Sequence, residues 1–97
     1  MAEYRLSNAA EQDLEEIYAY SFLEFGEQRA DAYFESLEDC LFRLAEQPAL
    51  GMDVSAIRKD YSRFVHQKHS IYYQTSKKGI LVVRILGPGM SPDRNLP

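Results

Sequence analysis

The first half of the chain carries hydrophobic residues at the spacing of two amphipathic helices. The first stripe contains Ala10, Leu14, Ile17, Tyr18, Ser21 and Phe25, and the second contains Ala30, Tyr33, Phe34, Leu37, Leu41, Leu44 and Ala45. This recurrence predicts a first helix that has Asn8 as its N-cap and ends at Gly26. A second helix is predicted from about Glu27 to Glu46, and Pro48 stops it. Because so few residues separate the two helices, they should form an antiparallel hairpin.

The remaining hydrophobic residues follow the alternation of β-strands. A short strand is predicted at Glu3–Leu6, before the first helix. Three consecutive strands are predicted at Tyr61–His66, Ser70–Thr75 and Ile80–Leu86. Their connections have hairpin length, so these strands should be adjacent and antiparallel, and Ala49–Asp60 should be a loop. The order β-α-α-β-β-β indicates one α+β domain over residues 1–97, with a helical hairpin packed on a mostly antiparallel sheet.

A single charge interrupts the hydrophobic pattern of the last strand. Strict alternation places Ile80, Val82, Arg84 and Leu86 on one face and Leu81, Val83 and Ile85 on the other. A charged side chain in an apolar row needs a partner or water. We therefore expect Arg84 to form an ion pair with a carboxylate on one of the helices.

Charge is divided unequally along the chain, whose net charge is −4. Residues 1–47 contain twelve acids and three bases, which gives −9, and residues 48–97 contain eight bases and three acids, which gives +5. Such a division usually indicates two faces with different partners. The acidic total argues against a general nucleic-acid binder, although a basic face in the second half could still contact phosphate.

The sequence predicts a cytoplasmic protein that does not engage a membrane. No hydrophobic run approaches the roughly 18 residues that a membrane span needs. The chain enters its first strand directly after Met1 and Ala2, without the pattern of a signal peptide. Its one cysteine, Cys40, excludes an internal disulfide and falls within a helical pattern, where a buried thiol is the usual case.

We expect neither a metal nor a cofactor. His66 and His69 alone are too few for a metal site, which usually needs three or four protein ligands. The segment Gly87-Pro88-Gly89 carries a proline where a phosphate-binding loop needs N–H donors.

Four segments of the chain resemble one protein family in their order and spacing. They are Tyr4–Tyr20 in the first strand and helix, Ile57–Phe64, His69–Tyr73, and Val83–Leu86 followed by Met90. These segments resemble the ParE branch of the RelE/ParE toxins, which belong to bacterial toxin–antitoxin modules. The resemblance covers nearly all of the chain and implies a RelE/ParE-like fold.

The resemblance also implies a function. A protein of this kind is the toxin component of a type II toxin–antitoxin module, of the sort used in plasmid stabilisation, and inhibits DNA gyrase without being an enzyme. A ParD-like antitoxin silences it by dimerising through a ribbon-helix-helix domain and laying a C-terminal segment across the toxin. Contacts with operator DNA are made by the antitoxin, so no direct specific DNA binding is expected of this chain.

The tail after the last strand is the target-binding region that the resemblance implies, because the family's tail is tied to toxicity. Met90, Arg94 and Leu96 are therefore expected to contact gyrase. The tail departs from the family pattern at Gly87–Gly89, where members commonly carry histidine and glutamine.

Antitoxin contacts are expected at exposed aromatic residues and at basic side chains. The helices contain more aromatic residues than one stripe can bury, so Tyr20 or Phe22 is expected to face a partner, unless helix packing uses them all. Arg58, Arg63 and Arg84 are expected to meet acids of the antitoxin.

Two alternatives stay open at this point. The RelE branch shares the fold but cuts messenger RNA on the ribosome, which requires a general acid and base together with cations. The candidates for that chemistry are Arg63, His66, His69, Tyr73, Arg84 and Arg94. The acidic net charge, and the absence of histidine, tyrosine or lysine after Arg84, argue against it. The other alternative is a non-toxic relative that only binds an antitoxin.

Overall fold

The computed structural model, which describes residues 2–97, contains a five-stranded sheet with two long helices packed on one face. In chain order the elements are β1 (Glu3–Leu6), α1 (Asn8–Phe25), α2 (Glu27–Glu46), a 3-10 turn (Pro48–Leu50), β2 (Met52–Asp53), β3 (Ser62–His66), β4 (His69–Ser76), β5 (Gly79–Leu86) and α3 (Pro92–Asn95). The strand order is β1-β5-β4-β3-β2. Only the pairing of β1 with β5 is parallel, which confirms the predicted α+β fold and mostly antiparallel sheet.

The first helix starts at a different cap from the one predicted. Ser7, rather than Asn8, is the N-cap, and its hydroxyl oxygen accepts a hydrogen bond from the amide of Ala10 at 3.0 Å. The same hydroxyl donates to the carbonyl of Val83 at 2.7 Å. Ser7 is the better cap because one side chain satisfies both the helix and β5, whereas Asn8 lies exposed.

The main core fills the space between the helices and the sheet. Its buried members are Ala10, Leu14, Leu37, Cys40, Leu41, Leu44, Ala45, Ile71, Tyr73, Ile80, Val82 and Ile85. The predicted stripe of α2 and the buried thiol of Cys40 are thereby confirmed.

Beyond Ile17, which packs against it, the C-terminal part of α1 contributes no buried residue to this core. The buried residues of α1 are Ala10, Asp13 and Leu14. Every residue from 22 to 29 is exposed, including Phe25, which the helical spacing had placed in the core stripe. The connecting end of the helical hairpin therefore carries apolar side chains that its own fold leaves uncovered.

Strand β5 departs from strict alternation. Tyr72 pairs with Arg84 and Tyr73 pairs with Val82, so Val83 lies in a β-bulge. Because a bulge re-aims the side chains after it, Ile85 joins Val82 in the main core, whereas Leu86 joins Val83 in a second cluster. The predicted division of β5 into two alternating rows was therefore wrong beyond Val83.

The second cluster covers the other face of the sheet. Its buried members are Val54, Tyr61, Tyr72, Val83, Leu86 and Leu96. They come from the segment predicted as a loop, from the sheet and from the tail. That segment contains the edge strand β2, which the hydrophobic pattern did not predict, and the tail contains the short helix α3.

Candidate functional site

Arg84 and Asp13 form an ion pair at the point where β1 stops covering β5. The pairing of β1 ends at Leu6 and Val82. Beyond it, Nε and Nη2 of Arg84 donate to the carboxylate of Asp13 at 2.8 and 2.9 Å. The side-chain hydrogen bond to Asp13 is the main reason that the pKa of Arg84 is raised. The predicted ion pair with a helix carboxylate is confirmed.

The tail is held against the sheet by two arginines and one leucine, which we call the tail clamp: Arg58, Arg84 and Leu96. Nη1 of Arg84 donates to the carbonyl of Asn95 at 2.8 Å. Arg58 donates to the carbonyls of Asp93, Leu96 and Pro97 at 3.1, 3.4 and 3.3 Å, respectively. The side chain of Leu96 is buried in the second cluster, and the residue is only 5% exposed.

The predicted target-binding residues of the tail differ in their exposure to solvent. Met90 and Arg94 lie exposed on the tail. Leu96, which was expected to contact a target, is a buried anchor in this structure, because the apolar face of the sheet needs a cover. Two of the arginines expected to meet an antitoxin, Arg58 and Arg84, likewise use donors inside the molecule.

A groove of about 770 Å³ runs between α1, α2, the β3–β4 turn and the start of the tail, and we call it the tail-side groove. The buried or half-buried residues that line this groove include Ile17, Tyr33 and Ile85. Tyr20 and Phe25 add large exposed side chains, and they are 62% and 55% exposed. The lining is mostly apolar, which makes the groove the strongest candidate site for a partner chain.

Tyr20 and Phe22 lie on different sides of α1. Tyr20 lines the tail-side groove. The ring of Phe22 lies 6.2 Å from that of Tyr18, which belongs to a different groove. Residues two apart point in widely different directions on a helix, so a single flat partner could not cover both.

The predictions omitted Leu23, which is 84% exposed. The signal for it is the nearly continuous apolar run from Tyr18 to Phe25, which exceeds one helical stripe.

Two residues that line the tail-side groove, Tyr33 and His69, belong to a polar cluster with Ser36 and His66. The hydroxyl of Tyr33 lies 2.6 Å from Nδ1 of His69, and Oγ of Ser36 lies 3.1 Å from Nε2 of His66. Burial raises the pKa of Tyr33 to about 12. Burial also lowers the pKa of both histidines, which favours their neutral forms.

Three of the candidate residues for an endonuclease have structural surroundings of their own. Tyr73 is fully buried, and its hydroxyl donates to the carbonyl of Pro48 and accepts from the amide of Gly51. Arg84 is paired with Asp13, while Arg94 lies on α3 in the tail. Among residues 2–97 there is also no group of three or more side chains placed to hold a metal ion.

Comparison with known proteins then identifies the family. A family model described as "ParE toxin of type II toxin-antitoxin system, parDE" matches residues 4–92. This chain belongs to the ParE toxin family. As a ParE family member it is the toxin component of a type II toxin–antitoxin system. The resemblance seen in the sequence motifs is thereby confirmed.

Individual relatives match this ParE family chain along almost its whole length. Toxin ParE1 of Mycobacterium tuberculosis (strain CDC 1551 / Oshkosh) is 33% identical over 96 residues, which are 98% of each chain. Toxin ParE1 of Caulobacter vibrioides is 29% identical over 96 residues, which are 99% of each.

A solved structure confirms the ParE-like fold. It is described as "Chromosomal ParDE TA system from P. aeruginosa" and matches with a TM-score of 0.76. The match covers 90% of this chain and 96% of that chain. The sequences are 17% identical, so this likeness concerns the fold alone. Each helix between residues 2 and 97 is too short or too polar to span a lipid bilayer.

Proposed function

We propose that this ParE family toxin inhibits DNA gyrase and is silenced by a ParD-like antitoxin with a ribbon-helix-helix domain. The observation that carries the proposal is the match of residues 4–92 to a toxin family whose description names parDE. The structure of similar fold from P. aeruginosa, described as a ParDE system, supports a paired antitoxin. We further propose that the chain acts by binding in the cytoplasm, without a cofactor and without catalysis.

The tail-side groove is the proposed antitoxin site. Tyr20 and Phe25 are large, mostly apolar residues that lie exposed in its lining. Full burial of a large apolar side chain stabilises a complex by about 1.5–3 kcal/mol, and covering these half-exposed residues would supply part of that. Arg29 and Lys68 also line the groove, so an antitoxin segment that carries hydrophobic anchors and acids would complement it.

The other residues expected to contact the antitoxin fit this site to different degrees. Arg63 lies on β3 and forms no ion pair within residues 2–97, so its guanidinium is free to meet an antitoxin carboxylate. Arg58 and Arg84 would influence the antitoxin through the tail that they hold. Phe22 would be reached by an antitoxin that wraps over the connecting end of the hairpin.

The proposed gyrase contacts are the exposed residues of the tail. Met90 and Arg94 face solvent on a segment that the tail clamp fixes in position. A fixed segment loses little conformational entropy on binding, which favours contact with a target. We propose that Leu96 supports this contact as an anchor for the tail.

A gyrase assay tests the target. The purified toxin should inhibit supercoiling and accumulate gyrase-bound, cleaved DNA. Arg94→Ala should raise the concentration required by about tenfold, as expected when an interface arginine is lost. Lys78→Ala removes the same charge from the exposed β4–β5 turn and should have no effect. Unimpaired gyrase at a large excess of wild-type toxin would rule this target out.

A binding assay tests the antitoxin site separately. The candidate partner is any ribbon-helix-helix protein that proves to be encoded directly beside this gene, and its affinity is measured by titration calorimetry. Phe25→Ala should weaken binding by at least about tenfold. Phe42→Ala removes an equally exposed ring from the other end of the helices and should leave binding unchanged. Tight antitoxin binding without gyrase inhibition would indicate a non-toxic relative, and transcripts cut within reading frames would indicate an endonuclease.

A further inference from the structure

The helical hairpin has a second groove, on the other side of α1 from the tail-side groove. It has a volume of about 750 Å³ and is lined by Leu6, Glu11, Leu14, Glu15, Tyr18, Asp31 and Phe34. We call it the acidic groove. We propose that it docks a basic segment of a protein partner, with an arginine side chain placed against the rings of Tyr18 and Phe34. Its lining shares no residue with the tail-side groove or the exposed tail, and only Phe22 at its margin could also meet a wrapping antitoxin. The inference therefore goes beyond the proposed function.

The floor of the acidic groove is aromatic. The rings of Tyr18 and Phe34 are nearly perpendicular, at 87°, with their centroids 6.0 Å apart. Phe22, which is exposed, continues the row beyond Tyr18 at 6.2 Å. A planar guanidinium group stacks favourably on an aromatic face, and the aliphatic part of an arginine side chain packs against apolar residues such as Leu6 and Leu14.

The rim of the acidic groove is negatively charged. Its carboxylates belong to Glu11 and Glu15 on α1 and to Asp31 on α2, whereas no lysine or arginine lines the groove. The tail-side groove differs in this respect, since it includes Arg29 and Lys68. None of the three carboxylates forms an ion pair within residues 2–97, so all three can pair with cations of a partner.

One hydrogen bond fixes the geometry of this site. The hydroxyl of Tyr18 donates to Oδ1 of Asp31 at 2.6 Å and joins the two helices across the groove. The bond orients both the aromatic ring and a rim carboxylate before any partner arrives. A preoriented ring beside a carboxylate suits arginine better than lysine, because only the guanidinium can stack and form a forked hydrogen bond at once.

The combination of floor and rim selects the class of partner. An acidic segment would be repelled by three carboxylates, and so would an anionic lipid surface. A purely apolar segment would bury the rim charges without compensation. A segment with one or two apolar anchors flanked by arginines would pack on the aromatic floor and form ion pairs with the carboxylates of the rim.

The test uses the folded chain and a synthetic helical peptide that carries leucine anchors flanked by arginines. Backbone amide NMR spectra are recorded during a titration at low salt. We expect saturable shifts concentrated at the lining residues of the acidic groove. Glu15→Lys should weaken binding by at least about tenfold, and Phe22→Ala should weaken it by a smaller factor. The same peptide with lysine in place of arginine should bind less tightly.

Glu46→Lys is the matched control, because it makes the same charge change at an exposed position at the far end of α2. It should leave the affinity unchanged apart from a small salt-dependent effect. Equal losses for the Glu15 and Glu46 variants would overturn the proposal, because they would indicate non-specific attraction to an acidic protein. Shifts spread over all acidic surfaces, or no binding at millimolar peptide, would also overturn it. Concentration-dependent shifts that join the groove to the Lys77–Lys78 turn without any peptide would identify a second copy of the chain as the occupant instead.

Discussion

The carboxylate of Asp13 on α1 accepts hydrogen bonds from Arg84 and its neighbour on the part of β5 that β1 does not cover. It accepts two hydrogen bonds from the Arg84 guanidinium and a third from the amide of Ile85 at 2.9 Å. Asp13 is the one charged or polar residue in the buried set of residues 2–97. The pair therefore joins the helical hairpin, the sheet and, through Asn95, the tail.

Removing Arg84 should destabilise the fold. Arg84→Ala would leave the Asp13 carboxylate buried without a counter-charge, which costs about 3–5 kcal/mol when one member of a buried pair is lost. The Arg84 side chain is 19% exposed, so the lower end of that range is expected. Urea unfolding measures the change. Adding Asp13→Asn should restore part of the loss, and an unchanged midpoint in Arg84→Ala would contradict the structural role of the pair.

Shortening Leu96 should release the tail. Leu96→Ala removes a buried side chain that packs among Tyr61, Tyr72 and Leu86. Leucine-to-alanine changes in cores cost about 2–5 kcal/mol, and the low end of that range is expected in the smaller second cluster. Thermal melting and the rate at which protease trims the tail are the measurements. Met90→Ala, an exposed tail position, serves as the control and should alter neither.

Stability should fall on mild acidification because of His66 and His69. Burial lowers the pKa of both side chains, and the charges of Arg43 and Lys68 add to the effect. Folding therefore favours the neutral imidazoles. Their contribution is complete above the unfolded-state pKa of about 6.5 and is lost as the pH falls below it.

The test compares urea unfolding at about pH 7.5 and pH 5.5, a range in which ordinary carboxylates stay ionised. The wild type should be less stable at the lower pH. His69→Gln should reduce that difference, since glutamine does not titrate. A pH dependence that survives replacement of both histidines would assign the effect to other groups.

Gly79 should not tolerate a side chain. It has φ +153°, and a Cβ at this position would collide with the carbonyl oxygen of Glu3 in the adjacent β1. Because backbone blocks the space, β1 must move, and Gly79→Ala should cost at least about 2 kcal/mol. Gly87→Ala is the matched control, since its Cβ would meet the His69 ring at an ordinary 3.8 Å. Similar melting temperatures for the two variants would disprove the close approach of β1 and β5.

Local patterns predicted the helices and the three hairpin strands because those elements depend on neighbours in sequence. The bounds of α2 and the antiparallel order of β3, β4 and β5 were both obtained in this way. The bulge at Val83 and the strand β2 were not predicted. Each depends on pairing with a partner strand, which hydrophobic alternation along one strand does not encode.

The site was predictable to a lesser extent. The ion pair of Arg84 followed from one charge in an apolar row, and the exposure of Tyr20 followed from an excess of aromatic residues. The burial of Leu96 did not follow from its position in a polar tail. Its environment is built by segments distant in sequence, which only the folded chain brings together.

The parallel pairing of Glu3 with Gly79 has a consequence for synthesis of the protein. Strand β1 can pair with its neighbour only after β5 has been translated. The helical hairpin packs on that same β5, so it too lacks most of its support until then. Contacts between such distant segments slow folding, and the fold of a nascent chain remains incomplete until β5 has left the ribosome. A cell that translates this message therefore contains no folded toxin until the codons of β5 have been read.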